Sequence, residues 1–306
     1  MRRFILNISL FLALNVLFGI FYLMVTQMSY SYKMGDTSSV LLAIPKDETF
    51  DLVLLGTSHA QNFSVGGGGF MHAKVEEMLQ RRMLNLSKTN AGFDEERFFL
   101  THFYNEGNTT DTVLYLLDPF IFFSHAWDIE NHFLNDEPLY PDALWEALSQ
   151  KIDREVIIDY VRSKFIGWWL LSRRPVEKPK EEPTKTLLAI DERAVEKRLA
   201  YLYPNGLDRD AFAHYEESLR ELITLASAHG SNIVFAYPPS LLGVLPGSGE
   251  VSRIVKRAQK EFPSVSFFDF SSAFLDPRLY IDHDHLSSNG ILLFISRYLK
   301  PALDRI

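Results

Sequence analysis

The chain opens with an apolar block. Phe4 to Val25 carry no charge and only a few polar residues, behind a basic Met1-Arg2-Arg3. As a helix rising about 1.5 Å per residue, this block spans roughly the 30 Å hydrocarbon core of a bilayer. Residues 27–48 are polar and rich in Ser and Thr, a pattern that predicts a short stalk. Short apolar runs then alternate with segments of helical periodicity. Phe50–Leu55, Met83–Leu86, Thr112–Leu117, Asn232–Tyr237 and Val265–Phe270 predict strands. Met71–Arg82, Glu95–Tyr104, Asp210–Ala228, Val251–Glu261 and Ser288–Leu303 predict helices. Continuous apolar strands separated by helices imply an α/β fold with a parallel sheet covered on both faces. In such folds ligands bind beyond the carboxyl ends of the strands.

The stretch from about 120 to 210 breaks the alternation. It holds aromatic-rich helical segments and a charged, proline-punctuated run, Arg173 to Pro183, whose composition suits a solvated linker and cannot build a core. It predicts a mostly helical insertion serving as lid, docking surface or spacer. Phe165-Ile-Gly-Trp-Trp-Leu-Leu171 reads as a buried helix of that insertion, with a bilayer contact or an acyl groove as the alternatives. The organisation that follows is a cytoplasmic tip and membrane segment at 1–29, a stalk at 30–48, and one domain at 49–306 carrying the insertion. No internal repeat is evident.

Composition narrows the classes. With 306 residues, 47% of them hydrophobic, the chain can bury a substantial core. A net charge of −8 with no long basic run argues against nucleic acid as a partner. The absence of cysteine excludes disulfides, thiolate metal sites and a cysteine nucleophile. The apolar N-terminal block exceeds the usual length of a signal-peptide core, and no clean small-x-small site follows it. It is therefore read as an uncleaved, single-pass signal anchor, a cleaved signal peptide being the other reading. The basic tip then stays in the cytoplasm and the rest of the chain faces outward.

Two motifs carry chemistry. The first strand ends in Asp51-Leu-Val-Leu-Leu-Gly-Thr-Ser58-His-Ala, which delivers a hydroxyl to a turn. Near the other end, Tyr280-Ile-Asp282-His-Asp-His285-Leu-Ser-Ser-Asn-Gly290 offers imidazoles and carboxylates. A lone Gly-Thr-Ser is often no more than a turn or a helix cap. Paired with a distant Asp-x-x-His, it supplies the nucleophile, base and orienting group that serine acyl transfer needs. Three-residue spacing puts Asp282 and His285 on one face of a turn, where the carboxylate fixes the imidazole tautomer. His283 and Asp284 lie in the same loop, so spacing alone leaves the pairing open. The dense His/Asp string, with His59, also allows a divalent metal site. Gly66 to Gly69 read as a flexible loop, because no Lys-Ser/Thr follows them as a phosphate loop requires. The motif is not the Gly-x-Ser-x-Gly elbow either, since Ala60 stands at its second glycine.

The two motifs at opposite ends of an α/β pattern resemble the SGNH, or GDSL-type, hydrolase superfamily. The likeness covers roughly residues 50–305, with a poorly matching middle. It implies a three-layer sandwich with Ser58 as nucleophile, Asp282 as orienter and His285 as general base, the last preferred because His-Leu-Ser-x-x-Gly fits the family there. Gly-Thr-Ser replaces the usual Gly-Asp-Ser, as in membrane-anchored bacterial relatives that acylate or deacylate cell-surface polymers. The resemblance implies oxyanion donors at the Ser58 N–H and at Gly92. The family's asparagine after the third strand is replaced by Leu117-Asp118-Pro119, which leaves Asn90 as the remaining candidate. It further implies an acylated glycan or other ester as substrate, a membrane acyl-transfer partner for a transferase, no cofactor, and a place in the bacterial cytoplasmic membrane with the domain facing the periplasm or exterior.

Overall fold

The computed structural model describes residues 2–34, 39–64, 70–89, 92–124, 133–135, 137–150, 152–171 and 186–306. Gly66 to Gly69, Asn90 and the linker from Arg173 to Pro183 lie outside them, as do the side chains of Phe165 to Leu171. The chain forms two compact units, Met1–Ala43 with His132–Lys178, and Ile44–Asn131 with Pro179–Ile306.

The first unit holds α1 (Arg2–Met34) and α2 (Val40–Ala43). Within α1, Arg3–Tyr22 has a mean hydropathy of 2.3 and is long and apolar enough to cross a membrane. Its large apolar side chains, from Phe4 to Phe21, are exposed. The expected stalk is in part ordered. α1 continues to Met34, and the buried Glu137 carboxylate accepts from Ser39 Oγ (2.6 Å), Val40 N (3.1 Å) and Leu41 N (2.9 Å). Val40 and Leu41 are buried as a result. A polar-looking stretch becomes structure here because a distant acid satisfies the orphan N–H groups at the start of α2.

The second unit is built on β1 (Thr49–Gly56), β2 (Met83–Asn85), β3 (Thr109–Leu116), β4 (Asn232–Tyr237) and β5 (Val265–Asp269). All pairings are parallel, in the order β2-β1-β3-β4-β5. The strands are apolar throughout because both faces are covered. Leu52, Leu54, Leu114, Leu116, Val234 and Ala236 pack with α4 (Phe70–Leu79) and with α11 (Ser288–Phe294). Their neighbours in the pleat turn the other way, where Tyr115 lies 5.8 Å from Phe235 and 5.2 Å from Phe93 of α5 (Phe93–Asn105). Helices α9 (Arg209–Ala228) and α10 (Ser248–Glu261) complete that layer. The strands and helices expected from the sequence are present within a few residues of their predicted limits, except that the last helix is α-helical only to Phe294 and continues to Leu303 through a π-helical turn, Ile295–Leu299, and a final turn, Lys300–Leu303.

The insertion contributes α6 (Pro141–Ser149) and α7 (Arg154–Leu171) to the first unit, and α8 (Glu192–Leu202) to the second. Its first residues are core: they belong to a buried 3₁₀ turn, Pro119–Phe123, that follows β3 after Leu117 and Asp118.

This strand order places the topological switch between β1 and β3, whose crossovers leave on opposite faces. Gly56 ends β1 there with φ +132°, and a Cβ on it would sit 2.6 Å from the Leu116 carbonyl of β3. Only glycine fits that turn. The residue after next is Ser58.

Candidate active site

Ser58 begins a single helical turn, α3 (Ser58–Gln61), immediately beyond β1. The Asn85 amide at the end of β2 buttresses the turn, donating to Ala60 O (2.9 Å) and Ser64 Oγ (2.8 Å). The second motif folds as a narrow loop before α11. Ile281 N donates to His285 O (2.9 Å) and Ser287 N to Leu279 O (2.8 Å). Ser287 Oγ then caps α11 by accepting from Gly290 N (3.2 Å), and Gly290 lies so close to Leu279 that a Cβ would meet its carbonyl at 2.2 Å. The His-Leu-Ser-x-x-Gly pattern is thus the local grammar of a loop locked onto a helix start.

Inside that loop Asp282 Oδ1 accepts the backbone N–H groups of Asp284 and His285, each at 2.8 Å. The carboxylate also holds His285 Nδ1, at 3.0 Å from Oδ1 and 2.9 Å from Oδ2. Partial burial pushes Asp282 upward, but the hydrogen bonds and charge of His285 outweigh it and bring it down to about 2. A proton held on Nδ1 leaves Nε2 as an acceptor, and Nε2 is 2.7 Å from Ser58 Oγ. Ser58, His285 and Asp282 therefore form one hydrogen-bonded line, joining residues at the two ends of the domain.

The other two titratable residues of the loop face elsewhere. His283 Nε2 accepts from Asp191 N (2.8 Å). Asp284 turns inward to His59 and Arg198. His59 Nε2 is 2.9 Å from Asp284 O and 3.3 Å from Asp284 Oδ1. Its Nδ1 lies 2.9 Å from Asp118 Oδ1, an ion pair in which the ring N–H is not aimed at the oxygen. Asp118 also accepts the Thr57 hydroxyl at 2.5 Å, and Arg198 reaches Asp284 Oδ2 with Nη2 (2.8 Å) and Nε (3.1 Å). The side chains of His59, Asp118 and Asp284 are only 6%, 2% and 3% exposed, so these charges interact with little solvent between them. Burial lowers the affinity of His59 for its second proton, but Asp118 and then Asp284 outweigh it and raise the imidazole well above its ordinary value. Two buried acids thus face two bases, and their charges offset one another.

Sequence reasoning placed His59 among possible metal ligands and set Asp118 aside as hostile to a developing oxyanion. His59, Asp284 and His285 do bring ligand-type atoms within 4.8 Å of one another. Each also has other partners: His59 lies between Asp118 and Asp284, Asp284 holds Arg198, and His285 bonds Asp282 and Ser58. Asp118 is neutralised within that network. The signal for it was the buried acid at the end of β3, one strand over from Gly-Thr-Ser.

Gly92 differs from its expected role. Its N–H donates to Glu95 Oε2 (3.0 Å), one half of a capping box at the start of α5, so it is not free to hold an oxyanion. The Ser58 N–H, in the first turn of α3, has no partner within the helix and remains available as a donor by position.

No protein-family model and no curated protein matches the chain. Among solved structures it is similar to a protein of Bacteroides fragilis described as a "putative acylhydrolase", with 8% sequence identity and a TM-score of 0.44, over 88% of this chain and 95% of the other.

Proposed function

We propose that this protein is a membrane-anchored serine esterase or O-acyltransferase of SGNH type, facing the periplasm or exterior of a bacterial cell. Its substrates in this reading are acyl esters, acetyl above all, of cell-envelope or exported polysaccharide. The observation that carries the proposal is the line from Ser58 Oγ through His285 to Asp282, at the switch point of a parallel sheet. The apolar helix Arg3–Tyr22 supports the anchor.

In this reaction Ser58 Oγ attacks the ester carbonyl while His285 Nε2 takes its proton. Asp282 keeps the ring oriented and stabilises the imidazolium that forms. The tetrahedral intermediate collapses as His285 gives that proton to the departing alcohol oxygen, leaving an acyl group on Ser58. An acceptor hydroxyl then transfers its proton to His285 and attacks the acyl carbon, and Ser58 recovers its proton at the end. Water as acceptor gives hydrolysis; a sugar hydroxyl gives acyl transfer. Outside the cytoplasm the transferase draws its acyl groups from a membrane partner. The Ser58 N–H is one oxyanion donor. A missing second donor costs on the order of 3 kcal/mol of transition-state stabilisation, so turnover is slow.

The engaged Gly92 N–H favours one other reading, a non-catalytic envelope protein that binds glycan in the same cleft. Fluorophosphonate labelling of the full-length protein in detergent separates the two. An activated serine is labelled in the parent, not in Ser58→Ala, and slowly in His285→Ala. A folded parent that resists the probe and still binds glycan after Ser58→Ala is the binding protein.

A further inference from the structure

The insertion reaches the loop that carries His285. Leu187, packed against the hydrophobic core, donates its N–H to Tyr280 O (2.9 Å). Asp191 caps α8 with its side chain and donates its own N–H to His283 Nε2 (2.8 Å). About two turns further on, Arg198 sends two N–H groups to a single oxygen of Asp284 (2.8 and 3.1 Å), its guanidinium lying 5.3 Å from the centre of the Tyr201 ring. These three ties fall on Tyr280, His283 and Asp284, on both sides of Asp282 and immediately before His285. None of them involves a reacting atom. Asp284 is also 3.3 Å from Ser240 Oγ, and its backbone carbonyl meets His59, so the loop is fixed from beneath as well.

The geometry points to a strap. Segment 187–198 holds the 280–285 loop in the register that sets His285 Nε2 against Ser58 Oγ, and Arg198 is its chief positioning residue. The inference rests on the proposed serine chemistry for its catalytic consequence, and on the ties alone for its structural one. It gives the insertion a task at the site beyond that of a spacer. A buried acid is needed at 284 because the strap attaches there. Arginine is needed at 198 because two donors from one planar group fix direction as well as distance, which a lysine ammonium cannot do.

The test uses the full-length protein in detergent with Arg198→Met and Arg198→Lys, read in two ways. Fluorophosphonate labelling at a series of probe concentrations separates the maximal rate at Ser58 from the half-saturating concentration. Hydrogen exchange follows the amides of residues 279–287. A base misplaced by a fraction of an ångström lowers the maximal rate of Arg198→Met by about 10- to 100-fold and leaves half-saturation unchanged. Arg198→Lys recovers part of that rate, and exchange across 279–287 is faster in Arg198→Met than in the parent. Parental labelling and parental exchange in Arg198→Met overturn the strap. So does an equal loss in both variants that merely tracks a lowered thermal midpoint. If the parent itself takes no probe, the serine reading fails, and the exchange measurement alone decides: faster exchange in Arg198→Met supports the strap and unchanged exchange refutes it.

Discussion

The rings of His59 and His285 lie with their centroids 4.8 Å apart and their planes 30° from parallel. They are neighbours with different attachments. His285 joins Ser58 to Asp282, whereas His59 is enclosed by Asp118 and Asp284. Since Asp284 is also the attachment point for Arg198, the buried ion network is the floor on which the base loop rests.

That floor depends on the charge of His59. Replacing it with Gln leaves Asp118 and Asp284 facing each other with only Arg198 to offset them. Removing one partner of a buried ion network costs about 3–5 kcal/mol. We expect His59→Gln to melt well below the parent, and His59→Gln/Asp118→Asn to recover much of the loss. The sign with pH follows from the raised imidazole. Its contribution is fully present below the ordinary histidine value and is lost as pH rises through the higher folded value. The gap between parent and His59→Gln therefore narrows toward alkaline pH. Melting curves for the three proteins across pH 6–10 test this, and a pH-independent gap contradicts it.

The pattern of residues revealed the sheet because its strands are covered on both faces and so read as unbroken apolar runs, such as Leu52 to Leu55 and Val113 to Leu116. Ser58 and His285 were legible for a related reason: the Gly56 turn and the Ser287–Gly290 helix start leave local marks in the chain. Partnerships made at long range leave none. Arg198 sits in the charged helix Glu192–Leu202, which by composition is a solvated surface, and Asp284 is 86 residues away from it. Glu137 and the N-terminus of α2 are separated by nearly 100 residues in the same way, so Val40 and Leu41 looked like stalk. Gly92 is the opposite case. Its Gly-Phe-Asp-Glu95 sequence already sets an acid three residues after a helix-start glycine, and that local bond takes the N–H assigned to the oxyanion.

Asp282 sets the tautomer of His285, and its loss should be read in chemistry more than in stability. In Asp282→Asn the amide no longer favours the proton on Nδ1 over Nε2, so the nitrogen facing Ser58 ceases to be a dependable base. In serine triads the corresponding change lowers turnover by about 10⁴-fold. We expect the labelling rate of Asp282→Asn to fall by orders of magnitude at neutral pH while its melting point stays close to the parent's, since the side chain is half exposed. The carboxyl is held at about 2, so its stabilising contribution is present above the ordinary aspartate value and lost only as pH falls toward 2. Labelling of Asp282→Asn at the parental rate removes Asp282 from the site.

Glu96 lies beneath the Gly56 turn, and its Oε1 accepts the Gly56 N–H at 2.7 Å. Burial raises its carboxyl to about 8 against the opposing pull of the nearby Tyr115 hydroxyl and the Gly56 N–H, and the nearby Asp118 adds to the rise. The group is therefore largely protonated in the folded protein at neutral pH, although it ionises near 4.5 when exposed. The folded state holds the extra proton between those values. Its contribution to stability is complete below the exposed value and is lost as pH climbs through 8. A glutamine keeps the neutral shape and the acceptor for Gly56, but has no proton to lose. We expect Glu96→Gln to match the parent near pH 5 and to exceed it by on the order of a few kcal/mol at pH 9. At about 2–4 °C per kcal/mol for a domain of this size, the difference in melting temperature should reach several degrees. His59 is present in both proteins, so its own alkaline loss cancels in the comparison. Melting temperatures at pH 5, 6, 7, 8 and 9 that run parallel in the two proteins mean that Glu96 is ionised throughout. The turn delivering Ser58 then rests on a buried carboxylate instead of a neutral acid.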